Sequence, residues 1–180
     1  MREKRFQKFL KENEGTIWLF DLSNLDSFSE DEFDIGHAML YYVKNGEGHF
    51  FSFYPSVSVN EMTGPVDGIF EEGHKQLAED ILLGDSTENV RLVKIERKYV
   101  DVDKMDEWIQ EQKENPPKYD LWGNNCSDMV GQALEQAGVV YVYGDRFVTH
   151  PENILKDTER YIKDVDKVIK ILKEKDEKNK

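Results

Sequence analysis

Residues 36–55 read GHAMLYYVKNGEGHFFSFYP, and the fold turns on them. Two runs rich in aromatic and branched residues, His37–Val43 and His49–Tyr54, flank the string KNGEG. Asn45-Gly46 between two such runs is the strongest short-range hairpin signal a sequence carries, because both turn positions demand positive φ. A two-residue turn pairs Lys44 with Glu47 and, farther down, sets His37 opposite Tyr54. Side chains alternate across a strand, so Ser52 and Tyr54 then share the face of His37, while His49 points the other way. An odd-length loop flips that parity but still pairs His49 with Tyr41 or Val43, roughly 13 Å along the strand from His37. Pro55 closes the second run.

Outward from the hairpin, residues 4–13 (KRFQKFLKEN) predict a short amphipathic helix stopped at Gly15, and residues 16–22 (TIWLFDL) a buried strand. The acidic stretch 23–34 is a polar connection or rim element. Residues 56–89 are broken by Gly64, Pro65, Gly68 and Gly73, and only Lys75–Leu83 suggests a helix. Val90–Ile95 predicts a strand. Val102–Glu114 predicts a helix with Val102, Met105, Trp108 and Ile109 on one face, ended by Pro116-Pro117. A tight loop, 118–125, leads into a helix over Cys126–Ala137, where Met129, Val130, Ala133, Leu134 and Ala137 form the buried stripe and Gly138 fits the C′ position. Val139–Tyr143 is a last strand candidate. From Glu152 onward, Ile154, Thr158, Tyr161, Val165, Val168 and Leu172 recur at helical spacing, and KEKDEKNK should fray. The reading is α+β: an antiparallel sheet packed against a cysteine-bearing helix, over residues 1–150, with 151–180 as a C-terminal helix packing on that domain or extending from it.

Composition narrows the function. The chain has 180 residues and is 38% hydrophobic, enough for one domain with a sizeable core. Asp and Glu outnumber Lys and Arg by 37 to 24, a formal charge of −13. That field repels phosphate backbones and anionic lipid heads, so neither nucleic acid nor a membrane surface is an expected partner; a protein partner reached through the C-terminal helix belongs to the rival binding-protein reading. No apolar run reaches the roughly 18 residues of a membrane span. The N-terminus carries charge without an uninterrupted apolar stretch, so a cytoplasmic chain is expected as synthesised, with export only by a route that needs no signal peptide. One cysteine forms no internal disulfide and no zinc cluster, and the 4 histidines lack a close-spaced ligand motif, so no metal or cofactor is expected.

The single cysteine has two uses, as a buried small hydrophobe or as a nucleophile. Cys126 falls where a helix begins, with Asn125 as the N-cap. The helix dipole there favours thiolate and lowers the pKa, and the unpaired first-turn N–H groups suit an oxyanion. A thiolate needs a base. His37, at the head of a two-sided apolar strand, is the candidate, although a hydrogen-bonded core histidine is the plainer reading of that position. His74 and His150 read as surface or capping residues. Hairpin register favours Ser52 as the residue that orients the imidazole, with Tyr54 close behind and His49 left as a hairpin residue. Asn124 and Asn125 build the loop and cap, and either side chain could supply an oxyanion donor. Trp122 reads first as packing beneath the loop and second as a substrate platform. Asp21 and Asp34 read as ordinary solvated acids.

Three strings, Gly36-His37-Ala38 opening a strand, Ser52-Phe53-Tyr54-Pro55 ending the next, and Tyr119-x-Leu-x-x-Asn-Asn-Cys126 opening a helix, resemble the circularly permuted papain-like superfamily over roughly residues 16–143. That group holds relatives of NlpC-type cell-wall peptidases and the lecithin:retinol acyltransferase-like enzymes, and the order His37 before Cys126 matches it. The resemblance implies Cys126 as nucleophile, His37 as general base and a polar residue on the next strand, often a second histidine, to orient the ring. It implies an amidase or peptidase acting on a peptide or peptidoglycan bond through a thioester. By analogy it also implies a bacterial effector delivered by a secretion machine. The acyltransferase branch carries Asn-Cys-Glu-His where this chain has Asn125-Cys126-Ser127-Asp128, which argues against lipid acyl transfer. An acyltransferase on the same scaffold and a non-catalytic acidic binding or inhibitor protein are the rival expectations.

Overall fold

The computed structural model describes residues 1–23, 36–140 and 150–178. Helix α1 (Arg2–Glu12) leads into strand β1 (Ile17–Asp21), which is buried along its whole length. Strands β2 (Ala38–Lys44) and β3 (Glu47–Phe51) form the expected hairpin. Asn45 and Gly46 sit at φ of 55° and 72°, the positive values a two-residue turn requires. The Glu14 carboxylate accepts from both turn amides, at 2.6 and 2.9 Å. Lys44 lies opposite Glu47 and Tyr42 opposite His49, so the register is the one the turn dictates.

The run 49–54 is not one strand, as its composition suggests, but two. Strand β3 stops at Phe51, and β4 (Phe53–Pro55) leaves for a second sheet, with Ser52 between them. The partner of β4 is β5 (Val66–Phe70), which lies in the stretch whose glycines hid it. Gly68 is there for packing. A Cβ on it would stand 2.2 Å from the Phe53 ring and 2.4 Å from the Pro117 carbonyl oxygen.

Helix α2 (Lys75–Leu83), strand β6 (Arg91–Ile95) and helix α3 (Val102–Glu114) follow at the expected places. The loop expected over 118–125 opens with a two-residue strand, β7 (Lys118–Tyr119), and closes through a bridge between Asp120 and Asn124. Helix α4 (Cys126–Gln136) starts at a complete capping box. Asn125 accepts from the amides of Ser127 and Asp128 at 2.9 and 3.1 Å, and Asp128 accepts from the Asn125 amide at 3.0 Å. Gly138, at φ 96°, occupies the expected C′ position. Helix α5 (Pro151–Lys178) begins where the His150 ring nitrogen Nδ1 accepts from the Glu152 amide at 3.3 Å, a cap in fact as in expectation. It runs without interruption to Lys178 through the residues expected to fray.

Among the described residues the architecture is α+β, with a four-stranded antiparallel sheet in the order β3-β2-β1-β6 and a three-stranded one in the order β4-β5-β7. The larger sheet is covered on both faces, so its central strands are apolar throughout. One face packs Leu19, Leu40, Tyr42 and Phe51 against α3, α4 and the first turns of α5, where Ile154 and Leu155 lie in the core. The other packs Trp18, Phe20, Met39, Tyr41 and Phe50 against α1 and α2. Farther along α5, Val168, Ile171 and Leu172 are exposed. Residues 24–35 of the acidic loop, Asp34 among them, lie outside the described residues, as do 141–143 of the last strand candidate; Val139 and Val140 form no strand.

Candidate active site

The place where the two sheets part makes a notch beside β2. The Leu22 amide donates to the His37 carbonyl at 2.8 Å, continuing the pairing of β1 with β2. Backbone groups alternate in direction along a strand, so the Ala38 N–H faces the other way, toward the side from which β4 has turned off. That amide donates to the thiol sulfur of Cys126. Helix α4 packs on both β2 and β4, and its first residue fills the notch. The Ala38 nitrogen is two bonds from His37 Cα, so the sulfur lies beside the backbone at His37.

The partners of His37 follow from the register. Its Nε2 is 2.6 Å from Ser52 Oγ, and both groups are buried. The Tyr54 ring lies flat on the imidazole, with centroids 4.3 Å apart and planes 15° from parallel. His49 stacks instead on Tyr42, 5.1 Å between centroids, on the opposite face of the sheet. His74 departs from its expected place at the surface. It is half-buried at the N-cap position of α2, where its side chain makes no cap. Its Nδ1 is 3.0 Å from the Tyr54 hydroxyl. Nothing in its local sequence marks it, because the contact joins residues 20 apart and depends on β5 bringing the chain back.

Electrostatics at the notch reverse one expectation. Burial, the largest influence, pushes the Cys126 thiol above its ordinary value, and the amides of Ala38 and Ser127 and the Ser127 hydroxyl offset only part of it. The first-turn position alone predicts the opposite sign; desolvation of a thiolate outweighs the partial charge of a helix end. Burial, and then the nearby His74, pushes His37 down to about 3. At neutral pH the resting pair is therefore thiol and neutral imidazole.

Tyr119, which opens the loop before α4, also has a contact of its own. Its buried hydroxyl is raised in pKa by burial and by the adjacent Cys126, whose backbone N–H donates toward it. The Cys126 amide and the Tyr119 hydroxyl together make a polar pair beside the sulfur. Trp122 does not pack beneath its loop: it is 73% exposed. Asn124 ties the loop, its amide donating to the Lys118 carbonyl at 2.7 Å. Asp21 is not a solvated acid but is buried, accepting from the Ser23 amide at 2.9 Å and from the Ser23 hydroxyl.

A hydrolase needs a groove that admits substrate and water, and the loop 118–125 is where one would open. Two cavities bounded by described residues, of about 380 and 420 Å³, both avoid Cys126, which is 6% exposed, as is His37 at 5%. The second of them reaches Ser52 from the outer edge of β3, with Phe70, Glu71, Glu72 and Lys113 around it. Among the described residues there is no group of three or more side chains fit to hold a metal ion, and no helix is long and apolar enough to cross a membrane. Compared with protein-family models, curated proteins and solved structures, the chain matches none.

Proposed function

We propose that the chain is a cysteine hydrolase with a permuted papain-like fold, acting on an amide bond of a peptide or of peptidoglycan. The observation that carries this reading is the notch itself: a helix-start thiol on the Ala38 amide, beside a histidine whose Nε2 is 2.6 Å from Ser52 Oγ. With Nε2 engaged by Ser52, Nδ1 is the ring atom that takes the thiol proton as Sγ attacks the carbonyl carbon. The oxyanion forms near the Tyr119 hydroxyl, which keeps its own proton to donate, since Asn125 already holds the Ser127 and Asp128 amides. As the C–N bond breaks, the imidazolium returns its proton to the leaving nitrogen, and a thioester remains. Water then gives a proton to His37 and attacks the thioester carbon; the C–S bond breaks and the thiol is restored. By analogy with wall-cutting enzymes of that superfamily, the setting we infer is that of a bacterial effector.

Labelling of Cys126 by an electrophilic thiol probe across pH tests the reading. Labelling is expected in the native protein, slower in His37→Ala at every pH near neutrality. Equal rates in the two proteins would overturn it. A second reading, a non-catalytic binding protein, is supported by the 6% and 5% exposure of Cys126 and His37 and by the apolar residues exposed on α5. It requires that the thiol label only after unfolding.

A further inference from the structure

We propose that Tyr54 and His74 are positioning residues that hold the His37 ring in its working orientation. This deepens the hydrolase reading and rests on it for its alkylation arm only. Three contacts run in series. Ser52 Oγ meets His37 Nε2 at 2.6 Å, the Tyr54 ring lies against the imidazole at 4.3 Å, and the Tyr54 hydroxyl meets His74 Nδ1 at 3.0 Å. Each link removes a different freedom. The bond to Ser52 sets which nitrogen faces the strand edge, and the swing of the ring plane is a separate freedom. A flat aromatic neighbour 15° from parallel blocks the swing. Tyr54 in turn sits on the short strand β4, and its hydroxyl is tied to a different element, the start of α2.

The chemistry of the third link makes it more than packing. Tyr54 O–H donates to Nδ1 of a neutral His74. The ring that faces His37 then stays electron-rich, which stabilises the imidazolium formed when the thiol proton arrives. The influence of His74 on His37 runs in the same direction: as a cation it opposes a positive charge on the His37 ring.

Three variants test the proposal at about pH 8, well above the ordinary histidine value of about 6.5: Tyr54→Phe, His74→Ala and His74→Asn. Tyr54→Phe keeps the stacked ring and removes the hydroxyl; His74→Asn restores a polar amide near the place of Nδ1. Two readouts are taken, the alkylation rate of Cys126 by iodoacetamide and the histidine ring-nitrogen NMR spectrum. Tyr54→Phe and His74→Ala should each slow alkylation by roughly two- to tenfold, the worth of one neutral hydrogen bond. The double variant should be no slower than either, because both break one link. His74→Asn should recover most of the rate. In the spectrum, His37 should hold a single tautomer protonated on Nε2 in the wild type and average between tautomers in the two disrupting variants. A single unchanged tautomer in both, with unchanged alkylation, would overturn the proposal while leaving the hydrolase reading intact if His37→Ala still slows labelling. If His37→Ala has no effect either, the hydrolase reading falls with it.

Discussion

Ser52→Ala removes one oxygen from a buried pair and should cost more than the same change at a surface. In the folded protein Ser52 is 1% exposed and His37 is 5% exposed, with 2.6 Å between Oγ and Nε2. The variant leaves a ring N–H in a site closed to water. A neutral hydrogen bond exchanged with solvent is worth about 0.5–1.5 kcal/mol net, but an orphaned buried donor costs about 1–3 kcal/mol. The larger range applies here. It appears in one of two forms: the imidazole keeps its tautomer and the fold is destabilised by that amount, or it turns and the reactive geometry is lost. Both are read together by urea unfolding and by the Cys126 alkylation rate. The sum of the two losses should come to about 1–3 kcal/mol, a rate effect of roughly 5- to 150-fold if it falls wholly on reactivity. His49→Ala, on the opposite face, should leave the alkylation rate within about twofold, well inside one such hydrogen bond. If Ser52→Ala changes neither quantity, the Ser52–His37 contact carries nothing and the orienting role is wrong. If His49→Ala slows alkylation as much as His37→Ala does, the histidine-rich arrangement of the resembled family is the right one.

Three further outcomes are expected. Burial and the nearby His74 hold His37 at about 3 against an ordinary 6.5, so across that interval the unfolded chain binds a proton that the folded chain refuses. Stability should therefore fall as pH drops through the interval, and His37→Gln should flatten that slope when urea midpoints near pH 7 and near pH 5 are compared; equal slopes would contradict the burial argument. Gly68→Ala forces a methyl to within 2.2 Å of the Phe53 ring and 2.4 Å of the Pro117 carbonyl oxygen, and should destabilise the fold by about 1–3 kcal/mol or more in urea unfolding. Gly64→Ala, where a Cβ meets open space, is the control and should stay within about 0.5 kcal/mol. Trp122→Ala should leave stability within about 0.5 kcal/mol, since the side chain is 73% exposed, and any effect on turnover should appear in KM before kcat.

The sequence made the local features of this fold readable, and the reasons are specific. A turn that needs two positive φ values leaves Asn45-Gly46 in plain view, and register then follows by counting, which is how Ser52 and Tyr54 could be put on the face of His37 without a structure. The capping box at Asn125 and the stop at Gly138 bound α4 for the same kind of reason: a backbone demand selects a residue type. What was hidden is what depends on distant chain. Strand β5 is interrupted by a glycine whose reason lies in Phe53 and Pro117, 15 and 49 residues away by sequence number. His74 reaches the site only because β4 and β5 pair. The sign of the Cys126 shift is set by how much protein surrounds the thiol, and a helix-start position says nothing about that.

Ser52 is a corner. The backbone before it belongs to one sheet and the backbone after it to the other, while His37 is held to the first through the Leu22 amide. The 2.6 Å contact between them thus spans a joint between two plates, and its length is fixed by the angle at which those plates meet. Rotation of the smaller sheet about Ser52 would carry Tyr54 on β4 across the His37 ring. Torque applied at β5 or β7, well away from the sulfur, would reach the imidazole through this hinge.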